Sequence, residues 1–279
     1  MANILLAGCG AIATQLGIQL QQQGHSLWGM KRSKTDLPFP LIQADFSKPL
    51  PSGLLPPCLD YVVHTATPGE RSDHGYKTAY CDGVSNLLAA LDSTTIRRFF
   101  FVSSTAVYHQ NDGSWVDETS PCNPKRFNGT RLLQAEQILQ DSAFKGTSLR
   151  FAGIYGRGRN YLINRVKSGS EIQLEPPKYT NRIHQDDCVG MLAFLIAQDL
   201  SERHLDDCYV GVDDNPASEA EVHQWLAKQL NAPDPAVKKT TKSPQQNKRC
   251  SNQRIRSLGY QFNYSGYEQG YAVELSKGE

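Results

Sequence analysis

The residue pattern with the most specific chemistry lies at Ile4–Ala13, which reads I-L-L-A-G-C-G-A-I-A. A short apolar strand there leads into two glycines and then a helix, an order that fits the turn holding a dinucleotide pyrophosphate. Gly8 permits the tight turn, and Gly10 lets phosphate oxygens approach the backbone. The helix start at Ala11 and Ile12 would present free N–H groups and a positive dipole end to the anion. A glycine turn without a ligand is the alternative.

The end of the second strand, about 20 residues past the glycines, indicates which dinucleotide binds. An acidic residue at this place bonds the ribose 2′-hydroxyl of NAD, but the segment that begins at Leu27 reads L-W-G-M-K-R-S and contains none. Lys31 and Arg32 can instead pair with the 2′-phosphate through charge-assisted hydrogen bonds. The sequence therefore predicts NADP as cofactor, with NAD less favoured and an exposed basic turn as the alternative.

Polar segments in the second half of the chain hold candidate groups for binding anions or moving protons. His184 could bind a phosphate or act as a general base, and a structural bond to one of the two aspartates that follow is the alternative. Arg182 lies beside it in the same segment and is a candidate for substrate contact. Arg157 and Arg159 could clamp an anionic substrate, or they could lie on a solvated loop.

Strand-like and helix-like segments alternate through the first half, which predicts a parallel sheet covered by helices on both faces. The predicted strands are Ile4–Ala7, Leu27–Met30, Leu41–Ala44, Tyr61–His64, Phe99–Ser103 and Ser148–Phe151. The predicted helices are Ile12–Gln23, Tyr76–Leu91, Lys125–Gln140, Tyr161–Lys167, Asp187–Gln198 and Ser218–Leu230. We predict a Rossmann-type, doubly wound α/β domain over residues 1–152. A smaller, mainly helical, substrate-side lobe over residues 153–279 would be interleaved with it, so that the two form one compact unit.

Within that lobe, Asn231–Lys248 carries three prolines and four lysines. This composition favours a mobile loop, and a basic binding arm is the alternative.

Composition excludes several classes of protein. Lys and Arg number 29 against 28 Asp and Glu, a net charge of +1, so no overall field attracts nucleic acid or a membrane. No apolar run approaches the 18 or so residues of a membrane span. The seven cysteines contain no C-x-x-C pair and no cluster at zinc spacing, which predicts free thiols, a cytoplasmic location and no metal site.

Several further segments occur in an order and spacing that match a known family. They are Asp45-Phe46, His64–Thr67, Phe101–Tyr108, Leu149–Gly156 and Arg182–Asp187. Together with the glycine turn, they resemble the extended short-chain dehydrogenase/reductases, the NAD-dependent epimerase/dehydratase group that contains nucleotide-sugar epimerases and dehydratases. The chain is most similar to the YeeZ-like branch, which shares the stretches Lys248–Asn252 and Leu258–Tyr260.

The resemblance implies a small-molecule substrate, such as a nucleotide sugar or another carbonyl or hydroxyl compound, and roles for particular residues. Ser104 aligns best with the catalytic serine, although it could instead cap the next turn. The cofactor-binding residues implied in this way are Asp45, Phe46, Thr65, Ala66, Thr67, Ser103 and Arg131. A homodimer is also implied, through the helices carrying Tyr76–Leu91 and Leu132–Gln140, with Leu87, Leu88, Leu132, Leu133 and Leu139 in its interface.

The family's catalytic tyrosine and lysine, spaced Y-x-x-x-K, are replaced by Phe127 and Arg131. Phenylalanine has no proton to move, and arginine stays charged, so the usual mechanism is absent. Tyr80 stands where the family has an asparagine, and it could have taken over proton transfer or could pack in the core. Two functions stay open: an enzyme with another proton donor, such as Tyr80 or His184, and a non-catalytic NADP(H)-binding protein that reports redox state to a partner.

Overall fold

A computed structural model describes residues 1–238 and 245–276, and in it strands and helices alternate along the first half of the chain. The strands are β1 (Asn3–Ala7), β2 (Ser26–Lys31), β3 (Leu41–Gln43), β4 (Tyr61–His64), β5 (Arg98–Ser104), β6 (Trp115–Val116), β7 (Gly146–Phe151), β8 (Gly153–Tyr155), β9 (Glu171–Ile172), β10 (Arg182–His184), β11 (Cys208–Gly211), β12 (Ala236–Val237) and β13 (Arg249–Cys250). The α-helices are α1 (Ala11–Gln22), α2 (Asp73–Tyr76), α3 (Gly83–Ala90), α4 (Phe127–Gln140), α5 (Tyr161–Lys167), α6 (Gln185–Leu200), α7 (Glu219–Gln229), α8 (Gln253–Leu258) and α9 (Tyr267–Ser276).

The main sheet has seven strands in the order β11-β7-β5-β4-β1-β2-β3. The pairs β1–β2, β1–β4, β2–β3 and β4–β5 are parallel. Leu5, Val62 and Phe100 are fully buried, as strands covered on both faces require. The predicted Rossmann-type α/β fold is confirmed. The sequence prediction missed β11, because Gly211 interrupts the apolar run after Tyr209 and Val210.

The helical segment after β4 differs from the single helix predicted over Tyr76–Leu91. It begins earlier, because the Ser72 hydroxyl caps α2 by accepting a hydrogen bond from the Gly75 N–H at 2.9 Å. Residues Lys77–Asp82 then form a π-helical turn before α3. Its five-residue spacing brings the Lys77 ammonium within 2.6 Å of the Asp82 carboxylate.

The chain divides into two units that are interleaved in sequence. Unit 1 comprises Met1–Val107, Cys122–Arg150 and Val189–Tyr209. Unit 2 comprises Tyr108–Pro121, Phe151–Cys188 and the chain from Val210 onward. The boundary predicted after residue 152, between two interleaved parts of one compact unit, stays a prediction.

Unit 2 has an aromatic and aliphatic core with short strand pairs around it. Its buried cluster consists of Tyr155, Ile163, Val166, Ala217, Val222, Leu226, Ala227, Tyr267 and Tyr271. The strands pair in parallel as β8–β10, β9–β12 and β6–β13. Helix α7 starts with a capping box, in which Ser218 and Glu221 satisfy each other's backbone N–H groups.

The segment predicted as a loop, Asn231–Lys248, contains the short strand β12, which pairs with β9. Its residues Lys239, Lys242 and Pro244 lie outside the described residues. Lys248 is buried and carries a pKa lowered by that burial.

A membrane-crossing helix is not found in the described part of the chain, where the helices are too short or too polar to span a bilayer.

Candidate functional site

The glycine turn between β1 and α1 leaves room for an anionic group. Gly8 has φ +93°, and a Cβ there would lie 2.5 Å from the backbone of Ala66, so only glycine fits. Gly10 is the N-cap of α1, where the described residues provide no side-chain cap and no atom within 4 Å of an added Cβ. The open N–H groups at Ala11 and Ile12 are therefore suited to hold a phosphate.

Residues that follow β4 hydrogen-bond to the end of β1 and to the glycine turn. The Thr65 hydroxyl donates to the carbonyl oxygen of Gly8 at 2.9 Å, and the Thr65 N–H donates to Ala7 at 2.8 Å. Ala66 lies against Gly8, while Thr67 is exposed. Of these three predicted cofactor contacts, the structure brings Thr65 and Ala66 directly to the glycine turn.

Lys31 and Arg32, the basic pair at the end of β2, lie near the carboxylate of Asp45, which stays ionised. Lys31 is half-buried and Arg32 exposed, with the Arg32 guanidinium beside Gly69. Burial acts to raise the pKa of Asp45, but hydrogen bonds from Ser47 and the charge of Arg32 hold it below its usual value. Asp45 is thus an anion beside the cationic pair.

An aromatic row crosses unit 1 from Phe46 to Phe127. Phe46 packs edge-on against His64 at 5.5 Å between ring centroids, and His64 lies 6.3 Å from Tyr80. Tyr80 contacts Tyr76 at 5.5 Å, and Tyr76 contacts Phe127 at 5.4 Å. Phe46, a predicted cofactor contact, is therefore joined to Phe127 by one set of ring contacts.

His64 is neutral in this row. Burial lowers the pKa of His64 to about 4, against smaller contributions from the backbone groups of His64 and Ala79. Neither ring nitrogen has a well-formed hydrogen bond among residues 1–238 and 245–276. Its ring serves as packing between Phe46 and Phe101.

Tyr80, a predicted catalytic candidate, is only 8% exposed. Burial raises the pKa of its phenol above the ordinary value, with a smaller contribution from Tyr76. The rings of His64 and Phe101 pack against it. This environment disfavours the phenolate and agrees with core packing, the alternative considered for Tyr80 from the sequence.

Phe127 and Arg131, the predicted replacements of the family's tyrosine and lysine, lie on the first turns of α4. Phe127 is 41% exposed. Arg131 donates from Nε and Nη2 to the two carboxylate oxygens of Asp73, both at 2.7 Å, and from Nη1 to Gln134 at 2.9 Å. Arg131 was predicted to contact the cofactor, and the structure shows its guanidinium engaged with Asp73.

Ser103 and Ser104 have different surroundings. The Ser103 hydroxyl is buried and donates to Glu136, which also accepts from Arg150 at 2.7 Å. The Ser104 hydroxyl is half-buried and accepts from the N–H of Ala106 at 3.2 Å, as a cap of the following turn. Ser104 keeps its own proton available to a ligand, whereas Ser103 belongs to a structural network.

His184 of unit 2 is 1% exposed. Its Nδ1 accepts from the N–H of Asp186 at 3.2 Å, and its Nε2 lies 3.4 Å from the carboxylate of Glu274. The rings of Tyr155 and Tyr264 pack against it. These contacts match the structural bond considered from the sequence, with Asp186 as its partner.

The predicted substrate arginines differ in exposure. Arg157 is exposed, and Arg159 donates to Gln185 at 3.3 Å. Arg182 is buried, donates to the Thr180 hydroxyl at 2.6 Å and lies over the ring of Tyr267.

Sequence reasoning missed a buried polar group beside Arg182. Asp213 Oδ2 and Tyr155 Oη are buried without a hydrogen-bond partner in the described residues. Burial raises the pKa of Asp213 to about 7, although the Arg182 charge opposes it. An Asp213-Asp214 pair followed by asparagine gives no sequence signal that one of its carboxylates is buried.

The sequence model of the NAD-dependent epimerase/dehydratase family matches residues 4–205. The chain belongs to this family. The matched residues include the glycine turn, the basic pair, Phe127 and Arg131. Resemblance to the YeeZ-like branch stays a prediction.

Solved structures of similar proteins agree with this membership. A Methylobacillus flagellatus protein assigned to the NAD-dependent epimerases/dehydratases shares 32% identity, with 99% of this chain and 98% of that one covered and a TM-score of 0.82. A functionally unknown conserved protein from Silicibacter pomeroyi shares 25% identity over 99% of both chains, with a TM-score of 0.77. MoeE5, solved with UDP-glucose and NAD, shares the fold at 20% identity, 98% and 97% coverage and a TM-score of 0.75. No curated protein matches the chain.

Proposed function

We propose that this member of the epimerase/dehydratase family binds NADP(H) and acts on a nucleotide sugar or a related carbonyl or hydroxyl compound without the usual tyrosine and lysine. The observation that carries the proposal is the open, uncapped start of α1 at Gly10. Residues that would hold the dinucleotide are Gly8, Gly10, Ala11, Ile12, Lys31, Arg32, Asp45, Phe46, Thr65, Ala66 and Thr67. When bound, a nicotinamide supplies reversible hydride transfer.

The choice of NADP rests on charge. Lys31 and Arg32 stand at the end of β2, where an acidic residue would favour NAD. Asp45 is acidic, but it follows β3 and already accepts hydrogen bonds from Ser47. MoeE5 was solved with NAD, so NAD is the competing cofactor.

Fluorescence titration tests the cofactor proposal. NADPH and NADH are titrated separately into the protein at one fixed salt concentration, since screening changes charge-assisted binding. We expect a lower dissociation constant for NADPH. Equal or reversed dissociation constants would contradict the preference, and no binding of either would contradict the proposed site.

The substrate class rests on the family and on its fold neighbours, among which MoeE5 holds UDP-glucose. A panel of UDP-hexoses and UDP-hexuronic acids, incubated with the protein and NADP⁺ or NAD⁺, is analysed for new sugar products. Product formation from any member supports the enzymatic proposal.

A second candidate function is NADP(H) binding without catalysis, with redox state reported to a partner. The engagement of Arg131 by Asp73 and the aromatic side chain of Phe127 favour it, because neither position offers a proton to move. NADPH binding with no product from any sugar in the panel would select this candidate.

We also propose a homodimer through α3 and α4. Of the five leucines expected in its interface, Leu87, Leu132 and Leu139 are already buried within one chain, which leaves Leu88 and Leu133 half-buried. Light scattering should give twice the single-chain mass of 31.0 kDa. A mass near 31.0 kDa would refute the dimer.

A further inference from the structure

A tyrosine that the sequence did not single out contacts the position of the missing catalytic tyrosine. Tyr76, the last residue of α2, packs edge-on against Phe127 with 5.4 Å between ring centroids and 82° between ring planes. Its other side contacts Tyr80 at 5.5 Å. Two neighbouring rings thus hold the Tyr76 side chain beside Phe127.

The side chain of Tyr76 is more accessible to solvent than that of Tyr80. Tyr76 is half-buried, and no hydrogen bond joins its hydroxyl to another residue in the described part of the chain. Tyr80 is buried, and its phenol is made a weaker acid by that burial. A proton-transferring group must reach the substrate, so the more accessible tyrosine is better placed.

An ion pair joins the helix that carries Tyr76 to the helix that carries Phe127. Asp73 lies one turn before Tyr76 on α2 and holds the Arg131 guanidinium with two hydrogen bonds of 2.7 Å. This ion pair ties α2 to α4, the helix that carries Phe127. Helix α2, which carries Tyr76, is therefore held against helix α4, which carries Phe127.

We propose that the Tyr76 hydroxyl is the proton-transferring group of this protein, in place of the tyrosine replaced by Phe127. The proposal rests on the proposed function. In the oxidising direction, the Tyr76 phenolate would take the proton of the substrate hydroxyl as its carbon becomes a carbonyl, and a bound oxidised nicotinamide would accept the hydride. In the reducing direction, the Tyr76 phenol would return the proton to the carbonyl oxygen, and a bound reduced nicotinamide would supply the hydride.

The first test measures accessibility without activity. Tyrosines are nitrated with tetranitromethane in the free protein and with saturating NADP⁺, and the sites are mapped by mass spectrometry. We expect Tyr76 to react in the free protein and to be protected at least tenfold by NADP⁺. Tyr161, which is 78% exposed, serves as the internal standard for reagent activity. Equal nitration of Tyr76 with and without NADP⁺ would overturn the proposal.

The second test uses Tyr76→Phe, which keeps the ring contacts with Phe127 and Tyr80. The dissociation constant of NADPH should stay within about threefold of the native value. Turnover of any UDP-sugar that the native protein converts should fall by about 10²–10⁴-fold, the usual worth of general acid–base catalysis. The control variant Tyr161→Phe should keep native turnover.

The double variant Tyr76→Phe/Phe127→Tyr should regain part of the lost turnover, because it places a phenol at residue 127, next to the hydroxyl removed from residue 76. Undiminished turnover in Tyr76→Phe would overturn the proposal, as would native protein that binds NADPH but converts no sugar of the panel. Failure of NADPH to bind would instead contradict the proposed function itself.

Discussion

Arg131 and Asp73 form a two-pronged ion pair, in which Nε and Nη2 of the guanidinium each donate to a different carboxylate oxygen at 2.7 Å. The hydrogen bonds from Arg131 hold the pKa of Asp73 below its usual value. An arginine fits this planar geometry where a lysine would offer a single point charge. Arg131, the predicted replacement of the family's lysine, therefore has a structural partner on α2.

Restoring the family pair should leave cofactor binding largely intact. In Phe127→Tyr/Arg131→Lys, we expect the dissociation constant of NADPH to change by no more than a few-fold, while any weak turnover of a UDP-sugar rises. The reason is that a phenol near a lysine can exchange a proton, whereas Phe127 cannot. Phe127→Tyr alone serves as the control that keeps the Arg131–Asp73 pair. Unchanged turnover in both variants would show that these positions are not near the reacting atoms.

Removing the basic pair should weaken NADPH selectively. Charge-assisted hydrogen bonds are worth about 1.5–3 kcal/mol, so Lys31→Ala/Arg32→Ala should raise the dissociation constant of NADPH about tenfold or more. The dissociation constant of NADH should change by less than about threefold. Lys34→Ala, in the exposed turn three residues on, is the matched control. The dissociation constants are measured by fluorescence titration at constant salt. Equal losses of affinity for NADPH and NADH would argue against recognition of the 2′-phosphate.

The two serines at the end of β5 should respond differently to alanine. Ser103→Ala removes a buried hydrogen bond to Glu136 and should lower the free energy of unfolding by about 1 kcal/mol, with NADPH affinity unchanged. Ser104→Ala should cost less stability, because its hydroxyl is half-buried. Denaturant unfolding and NADPH titration separate the effects. Loss of NADPH affinity in Ser103→Ala would show that Ser103 contacts the cofactor, as the family resemblance implied.

Stability should fall as pH rises through the range in which Asp213 ionises. Burial raises the pKa of Asp213 from 3.8 to about 7, so between these values the folded chain holds a proton that the unfolded chain has lost. This stabilisation is full below about pH 4 and lost above about pH 7.

Asp213→Asn should flatten this part of the pH profile. The variant should match the native protein at pH 4 and exceed its free energy of unfolding at pH 8 by a few kcal/mol, since one pKa unit corresponds to about 1.4 kcal/mol. Asp214→Asn is the neighbouring control. A native-like slope between pH 4 and 7 in Asp213→Asn would show that another group titrates there.

Residues close together in sequence were enough to nominate much of the candidate site. The glycine turn, the basic pair after β2 and the predicted replacement of tyrosine and lysine by Phe127 and Arg131 each rest on the residue types and spacing of a short segment. The strands of the Rossmann-type sheet were predictable for the same reason, because fully apolar runs such as Phe99–Phe101 indicate a strand covered on both faces. The short edge strand β11 gave no comparable run.

The partners of these residues were decided by the tertiary structure. Arg131 meets Asp73, Ser103 meets Glu136, and Tyr76 meets Phe127, in each case across a large separation along the chain. The burial that weakens Tyr80 as an acid and raises the pKa of Asp213 is likewise a sum over many segments. The sequence by itself determined which chemical groups this protein has and which it lacks. Only folding decided which groups are free to act, because hydrogen bonding and desolvation depend on neighbours that are distant in the chain.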